Sequence, residues 1–263
     1  MSNTMLPAGT FAGKTAVITG GGSGIGYGIA EELAQLGATV VLAGRKVERL
    51  EEAASNIRIG GGQAFAVPTD IRNSEQVEHL MAEAVRLTGS LDMLVNSAAG
   101  NFLVDSDKLS VNGWNAVVNT VLHGTFYCTR AAGLKMVALH KPGRILSIVA
   151  SYAWTGGPKT VHSAAAKAGV VALTRTLAVE WAHHGLRVNA ICPGPTDTEG
   201  SRPLWQHPED EMRLKEKIPV GRFGTVVEIS QAASYLLSPY ADFVNGEVFV
   251  IDGGEWLGKG LSS

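Results

Sequence analysis

The chain has 263 residues, with 22 Lys+Arg against 24 Asp+Glu, two cysteines, 17% charged residues and 45% hydrophobic ones. A net charge of −2 without a long basic run gives little electrostatic support for nucleic-acid or anionic-membrane binding, and the apolar content excludes a disordered chain. The length allows one large domain or two small ones, and such a chain buries roughly 70–75% of its unfolded surface without disulfide or metal staples.

Short β-rich runs alternate with helical patterns from end to end. Lys14–Thr19 reads as a buried strand bounded by Gly20-Gly21-Gly22, and Ile25–Leu36 as a helix closed by Gly37. A strand over Thr39–Ala43, a helix over Val47–Ile57 and a strand over Ala64–Pro68 come next. Ser74–Leu87 is an amphipathic helix with Val77, Leu80, Met81 and Ala84 on its apolar face. Leu91–Val95 and Arg144–Val149 are strands flanking a long helix from about Val111 to Leu139. A second long helix is predicted from about Val161 to His184, then strands over Arg187–Ile191 and Val248–Ile251. Seven apolar strands separated by helices mean repeated βαβ units. The predicted fold is α/β: a single doubly wound Rossmann-type domain with a seven-stranded parallel sheet and helices on both faces. Residues 1–11 form an N-terminal extension and 12–263 the domain, with a substrate loop or lid at about 193–217.

Cys128 and Cys192 form no CxxC pair, and Cys192 reads as a buried strand-end apolar residue. The seven His are scattered, with His183 and His184 expected on different sides of a helix, so no metal site is predicted. The first residues lack the pattern of a signal peptide and no apolar run is long enough to span a bilayer, which leads to the expectation of a cytoplasmic protein.

Gly20, Gly22, Ser23, Gly24, Ile25 and Gly26 lie between the first strand and the first helix. Glycines there permit a tight turn and close approach to a pyrophosphate, which the helix N-terminus stabilises with free N–H groups and its dipole. Such glycines also serve an ordinary turn, but the strand–turn–helix context favours binding. The second strand ends Ala43-Gly44-Arg45-Lys46, without the carboxylate that would hold the ribose hydroxyl of NAD. Arg45 and Lys46 suit a 2′-phosphate, so the expected cofactor is NADP(H). The competing reading is a solvated pair at a helix start, where cations are disfavoured unless an anion lies nearby.

With these features, Asp70, Asn96-Ser97-Ala98-Ala99-Gly100, Lys167 and Pro193-Gly194 resemble the short-chain dehydrogenase/reductase family across nearly the whole chain. The resemblance implies that Asp70, with Ile71 beside it, meets the adenine, and that Asn96, Ser97, Ala98 and Gly100 line the cofactor. It further implies that Pro193 and Gly194 contact the nicotinamide amide, that Lys167 holds the nicotinamide ribose, and that the protein is a homotetramer built on the two long helices.

The family's usual Tyr four residues before the Lys, and its Ser thirteen before that Tyr, are here Ser163 and Ala150. The usual alcohol-oxidising triad is therefore absent, and a hydroxyl substrate lacks its proton shuttle. The runs Ser97–Leu103, Gly194-Pro195 with Thr198-Glu199-Gly200, and Asp252–Leu257 resemble the NADPH-dependent 2,4-dienoyl-CoA reductases. The mitochondrial type uses a Tyr fifteen residues before the Lys and a Ser four before it, which are Tyr152 and Ser163. Its Asn before Gly-Thr is replaced here by His123, whose imidazole can still donate a hydrogen bond. His162-Ser163 also resembles the peroxisomal dienoyl- and enoyl-CoA reductases.

The resemblance thus implies an acyl-CoA substrate and a catalytic set of Tyr152, Ser163, Lys167 and His123. Tyr152, assisted by His123 or Ser163, would donate to the thioester oxygen, and the Lys167 cation would lower the phenol's pKa. Substrate contacts are expected from Asn101, Phe102, Tyr152, Ser163 and Pro195. The segment Ser201-Arg202-Pro203-Leu204-Trp205 is a candidate clamp for the acyl chain and the CoA phosphates. Against this stand plainer readings: Tyr152 packing under the lid, Ser163 bonding the preceding helical turn, and His123 as a packed helix residue. The alternatives are another short-chain reductase, of a 2-enoyl-CoA, carbonyl or sugar, and a catalytically inactive NADP(H)-binding protein.

Overall fold

The computed structural model describes residues 5–202 and 208–258. The strands are β1 (Thr15–Thr19), β2 (Thr39–Gly44), β3 (Gln63–Pro68), β4 (Met93–Asn96), β5 (Gly143–Ile148), β6 (Leu186–Pro193) and β7 (Val248–Ile251). They form one parallel sheet in the order β3-β2-β1-β4-β5-β6-β7. The chain winds outward from β1 to β3, then crosses back to place β4 on the other side of β1. That reversal opens a crevice at the carboxyl ends of β1 and β4, where open α/β sheets take their ligands.

Both faces of the sheet are covered, so the strands are predominantly apolar. Ile18 packs with Leu42 against α1 (Gly24–Gln35) and α2 (Val47–Ile59), while its neighbour Val17 enters the opposite layer with Leu80, Leu94 and Met136. The second layer is formed by α3 (Ser74–Thr88), α4 (Val111–Val118), α5 (Gly124–Ala138) and, after the one-turn α6 (Tyr152–Thr155), α7 (Val161–Glu180).

Two long helices predicted from the sequence differ in the structure. The first is interrupted between α4 and α5 by a π-helical turn, Asn119–His123. A wide turn of this kind shifts the phase of the helix beyond it, and apolar periodicity alone does not reveal it. Phase matters at once, because a Cβ on Gly124 would lie 2.6 Å from Ile71. The second helix ends at Glu180, and Ala182–His184 is a 3₁₀ turn closed by Gly185 at φ +76°. The His183 and His184 rings therefore do not diverge; their centroids lie 3.8 Å apart.

Besides α6, three helices have no counterpart in the sequence reading: α8 (Pro208–Glu216), α9 (Val226–Leu237) and α10 (Glu255–Gly258). The expected loop at 193–217 thus contains a helix; Pro203, Leu204 and Trp205 of the candidate clamp lie outside the described residues. Among the described residues no helix is long and apolar enough to cross a membrane.

Candidate active site

A cleft of about 870 Å³ opens at the carboxyl ends of the strands. Its floor at β1 is the glycine turn. Gly20 has φ +68°, and a Cβ there would lie 2.9 Å from the Ala98 backbone. The Thr19 hydroxyl accepts hydrogen bonds from the Ser97 and Ala98 N–H groups at 3.2 and 3.1 Å, pinning the loop after β4 to this turn. Ser23 heads α1 without capping it through its side chain, and the first turn carries no acidic residue. The N–H groups there are open to an anion, as a pyrophosphate requires. Gly20, Gly22, Ser23, Ile25 and Gly26 line the cleft; Gly24, at φ +56°, turns the chain into α1 behind them.

At the adenosine end Arg45, Lys46, Arg49, Asp70, Ile71 and Arg72 line the wall. Arg72 Nε donates to both Asp70 oxygens at 2.9 and 3.0 Å. This bond holds the Asp70 carboxyl below its ordinary pKa, and the charge of Arg45 acts in the same direction. Arg49 pairs with Glu199 at 3.0 Å, whereas Arg45 and Lys46 have no ion-pair partner among the described residues. Arg49, Arg72 and Glu199 are not among the site residues expected from the sequence; the four-residue spacing of Arg45 and Arg49 is the available signal.

At the other end, Ser97, Ala98, Asn101, Tyr152, Lys167, Pro193, Gly194 and Pro195 line the cleft. Gly194 donates its N–H to the Ile251 carbonyl at 2.8 Å, and a Cβ there would lie 2.6 Å from Asp252 Cα. Tyr152 follows β5 on α6, with its hydroxyl 3.0 Å from Ser163 Oγ on α7. Ser163 is 1% exposed and stands behind the phenol, not on the cleft wall. Lys167, one turn further along α7, donates to the Ile148 carbonyl.

Burial raises the Tyr152 pKa, with the Ser163 hydrogen bond opposing. This corrects the expectation that Lys167 lowers it: one of the ammonium's three donors goes to a backbone carbonyl, and desolvation dominates at the phenol. Burial also pushes the Lys167 ammonium down to about 8. A phenol with a raised pKa remains protonated at neutral pH and is a donor, not a base. Cys192 is fully buried at the end of β6, as its apolar reading requires.

Several expected site residues stand elsewhere. Asn96 is 4% exposed and buried off the wall, its amide donating to Thr129 Oγ1 and Ser147 Oγ at 3.0 and 3.3 Å. Gly100 is exposed and also off the wall. His123 lies in the π turn with an exposed ring 6.3 Å from that of Tyr127; Thr120 of the same turn reaches the cleft instead. Phe102 packs at a tilt of 55° against the buried ring of His162, with centroids 4.5 Å apart, leaving Asn101 and Leu103 to face the cavity. Arg202 is paired with Asp197 at 3.0 Å, away from the wall.

The family model described as enoyl-(acyl carrier protein) reductase matches residues 20–255. The chain belongs to the short-chain dehydrogenase/reductase family. It is an oxidoreductase whose cleft fits the nicotinamide dinucleotide of that family. Among its relatives, the probable 2,4-dienoyl-CoA reductase [(2E)-enoyl-CoA-producing] of Bacillus subtilis is 45% identical, covering 93% of this chain and 97% of that one. The peroxisomal 2,4-dienoyl-CoA reductase [(3E)-enoyl-CoA-producing] of Rattus norvegicus is 39% identical, covering 93% and 84%. A short-chain dehydrogenase from Bacillus anthracis has a similar structure, with TM-score 0.85, 45% identity and coverage of 92% and 96%. So has a protein from Beutenbergia cavernae assigned as an NAD(P)-dependent gluconate 5-dehydrogenase and holding NADP, with TM-score 0.88, 37% identity and coverage of 94% and 97%. In this member of the short-chain dehydrogenase/reductase family, Tyr152 stands against Ser163, and residue 150 is Ala.

Proposed function

We propose that this enzyme reduces 2,4-dienoyl-CoA thioesters to enoyl-CoA with NADPH, in the breakdown of unsaturated fatty acids. The observation that carries this reading is the Tyr152–Ser163 hydrogen bond at 3.0 Å beside Lys167, formed by a phenol whose pKa is raised. Reduction of a conjugated thioester moves negative charge onto the thioester oxygen, so the site needs a hydrogen-bond donor aimed there. Tyr152 is that donor; Ser163 holds the phenol from behind, and Lys167 holds the nicotinamide ribose. The bound reduced nicotinamide supplies the hydride.

The dienoyl-CoA then becomes a dienolate. A proton added at its α carbon leaves the 3-enoyl thioester, and one added at its γ carbon leaves the 2-enoyl thioester. The relatives named above differ in this product. A carbonyl or sugar substrate, as for the gluconate dehydrogenase relative, is disfavoured by Ala150 and Ser163 at the places of the usual Ser and Tyr.

NADP(H) is favoured over NAD(H) by charge at the end of β2. Of four cations on that wall, Arg49 and Arg72 are paired with carboxylates, leaving Arg45 and Lys46 for a 2′-phosphate. A homotetramer is supported by apolar side chains left exposed on the long helices, namely Phe126, Leu134, Val161 and Val179. The deciding experiment is incubation with NADPH and a 2,4-dienoyl-CoA, with the conjugated-diene absorbance as readout. Loss of that absorbance with one NADPH oxidised per diene is expected; no loss refutes the substrate assignment.

A further inference from the structure

Helix α6 carries Tyr152 on a single turn, closed by bonds from the Thr155 and Gly156 N–H groups to the Ser151 and Tyr152 carbonyls at 3.2 and 3.1 Å. One turn does not hold its own direction, so its neighbours must set it. Successive residues of a helix turn by about 100°, and three successive side chains of α6 leave toward three neighbours. Tyr152 faces the cleft with its hydroxyl against Ser163 of α7. Ala153 packs against the apolar cluster of Val149, Val170 and Cys192. Trp154 meets Trp256 of α10 edge to face, with ring centroids 5.8 Å apart and planes at 84°. Helix α10 is itself tied to the cleft wall. The Asp252 carboxylate accepts from the Gly254 and Trp256 N–H groups at 2.8 and 2.9 Å, fixing the turn that carries Trp256. Asp252 lies against Gly194, where a Cβ would stand 2.6 Å from its Cα, and both Gly194 and Glu255 line the cleft. The tryptophan pair therefore joins the Gly194 wall to the helix that bears the phenol.

We propose that Trp256 is a positioning residue for Tyr152, acting through Trp154. An edge-to-face pair prefers a defined offset and tilt, so it fastens α6 on one side while Ser163 fastens it on another. The phenol is then aimed into the cleft before substrate arrives, and the aim does not have to be found during the reaction. The inference rests on Tyr152 as the donor of the proposed reduction.

The test is steady-state kinetics of the full chain with NADPH and a 2,4-dienoyl-CoA, together with hydrogen exchange of the α6 amides without acyl-CoA. Trp256→Ala should lower kcat about tenfold while KM and the NADPH Kd stay within about twofold, because aim is lost and binding is not. Trp256→Phe keeps an aromatic edge and should recover most of the loss. In a Tyr152→Phe background, Trp256→Ala should cost no more than about twofold, since Trp256 acts only through the phenol. The amides of residues 153–156 should exchange about tenfold faster in Trp256→Ala than in the wild type, and near the wild-type rate in Trp256→Phe. The Asp252 bonds go to backbone N–H groups, so Trp256→Ala keeps the anchor of α10 and its circular dichroism should not change. Trp154→Ala removes the same contact without touching α10 and should match it in kcat and in exchange. Unchanged kcat in both alanine variants, a loss confined to KM, a loss that Trp256→Phe does not recover, or an undiminished loss in the Tyr152→Phe background overturns the proposal. If the wild type reduces no dienoyl-CoA, the substrate reading fails by itself. Exchange in α6 then decides this inference, and a rate unchanged by Trp256→Ala and by Trp154→Ala overturns it.

Discussion

The Tyr152 hydroxyl lies 3.0 Å from Ser163 Oγ, so the one-turn helix α6 is fastened to α7 at the residue that faces the cleft. An isolated turn of helix is unstable without tertiary support, and this bond supplies some of it where the phenol must be aimed. Tyr152→Phe should lower kcat on a dienoyl-CoA by about a hundredfold, the effect of deleting an oxyanion donor. Ser163→Ala leaves the donor in place but unaligned, and should cost about tenfold. Steady-state kinetics decide the order; a larger loss in Ser163→Ala would transfer the donor role to the serine.

Lys167 sets an alkaline limit. Burial depresses its ammonium from 10.5 to about 8, so the charge is present at neutral pH and is lost as pH rises through that value. With the ribose role proposed for Lys167, dinucleotide affinity should fall above pH 8 as this cation on the cleft wall is lost. Stability moves the other way: the unfolded chain holds the proton longer, so this group makes folding more favourable between pH 8 and 10.5. Lys167→Arg retains its charge throughout. NADPH titrations across this range should show an alkaline limb in the wild type and none in that variant; identical profiles rule out Lys167 as its source.

Arg45→Glu should raise the Kd for NADPH by at least about tenfold while leaving NADH within about threefold, since only NADPH carries the 2′-phosphate. Asp70 lies on the same wall and its carboxylate is held by Arg72, so the substitution adds a second negative charge where the first is already neutralised. Parallel titrations with the two cofactors measure this. Equal losses for both would remove the basis for assigning Arg45 to the phosphate.

The sheet was legible because buried parallel strands read as continuous apolar runs: β1 is Thr-Ala-Val-Ile-Thr, all five residues buried. The glycine turn was legible for a similar reason, since Gly20 needs a positive φ and leaves no room for a side chain beside Ala98. The His123 placement was not, because its position depends on the π turn, and spacing along a helix presumes regular winding. Nor was the Arg49–Glu199 pair, whose partners meet only after β6 returns to the switch point. Helix α9 had a readable signal, Thr225 three residues before Glu228 ahead of an apolar run, which is the pattern of a capping box.

That capping box yields the last prediction. The Thr225 hydroxyl accepts from the Glu228 N–H at 3.2 Å, while Glu228 Oε2 accepts from the Thr225 N–H at 2.8 Å and from Arg222 Nη1 at 3.0 Å. Thr225→Ala should cost about 1 kcal/mol, roughly 2–4 °C in Tm for a chain of this size. Arg222 first, and then the Thr225 backbone, hold the Glu228 carboxyl down at about 2. Its folded-state pKa is depressed, so its stabilisation is present above the ordinary value of 4.5 and is lost as pH falls through 2. Glu228→Gln should therefore melt below the wild type at neutral pH, with the gap closing between pH 4.5 and 2. The first residue of α9 after the cap, Val226, packs where a Cβ on Gly28 of α1 would stand, and α1 presents the glycine turn. A frayed α9 should thus also weaken NADPH binding, and thermal melts with and without NADPH separate the two effects: a ligand-induced rise in Tm that is smaller in Thr225→Ala than in the wild type links the cap to the cofactor site, and an equal rise limits it to the fold.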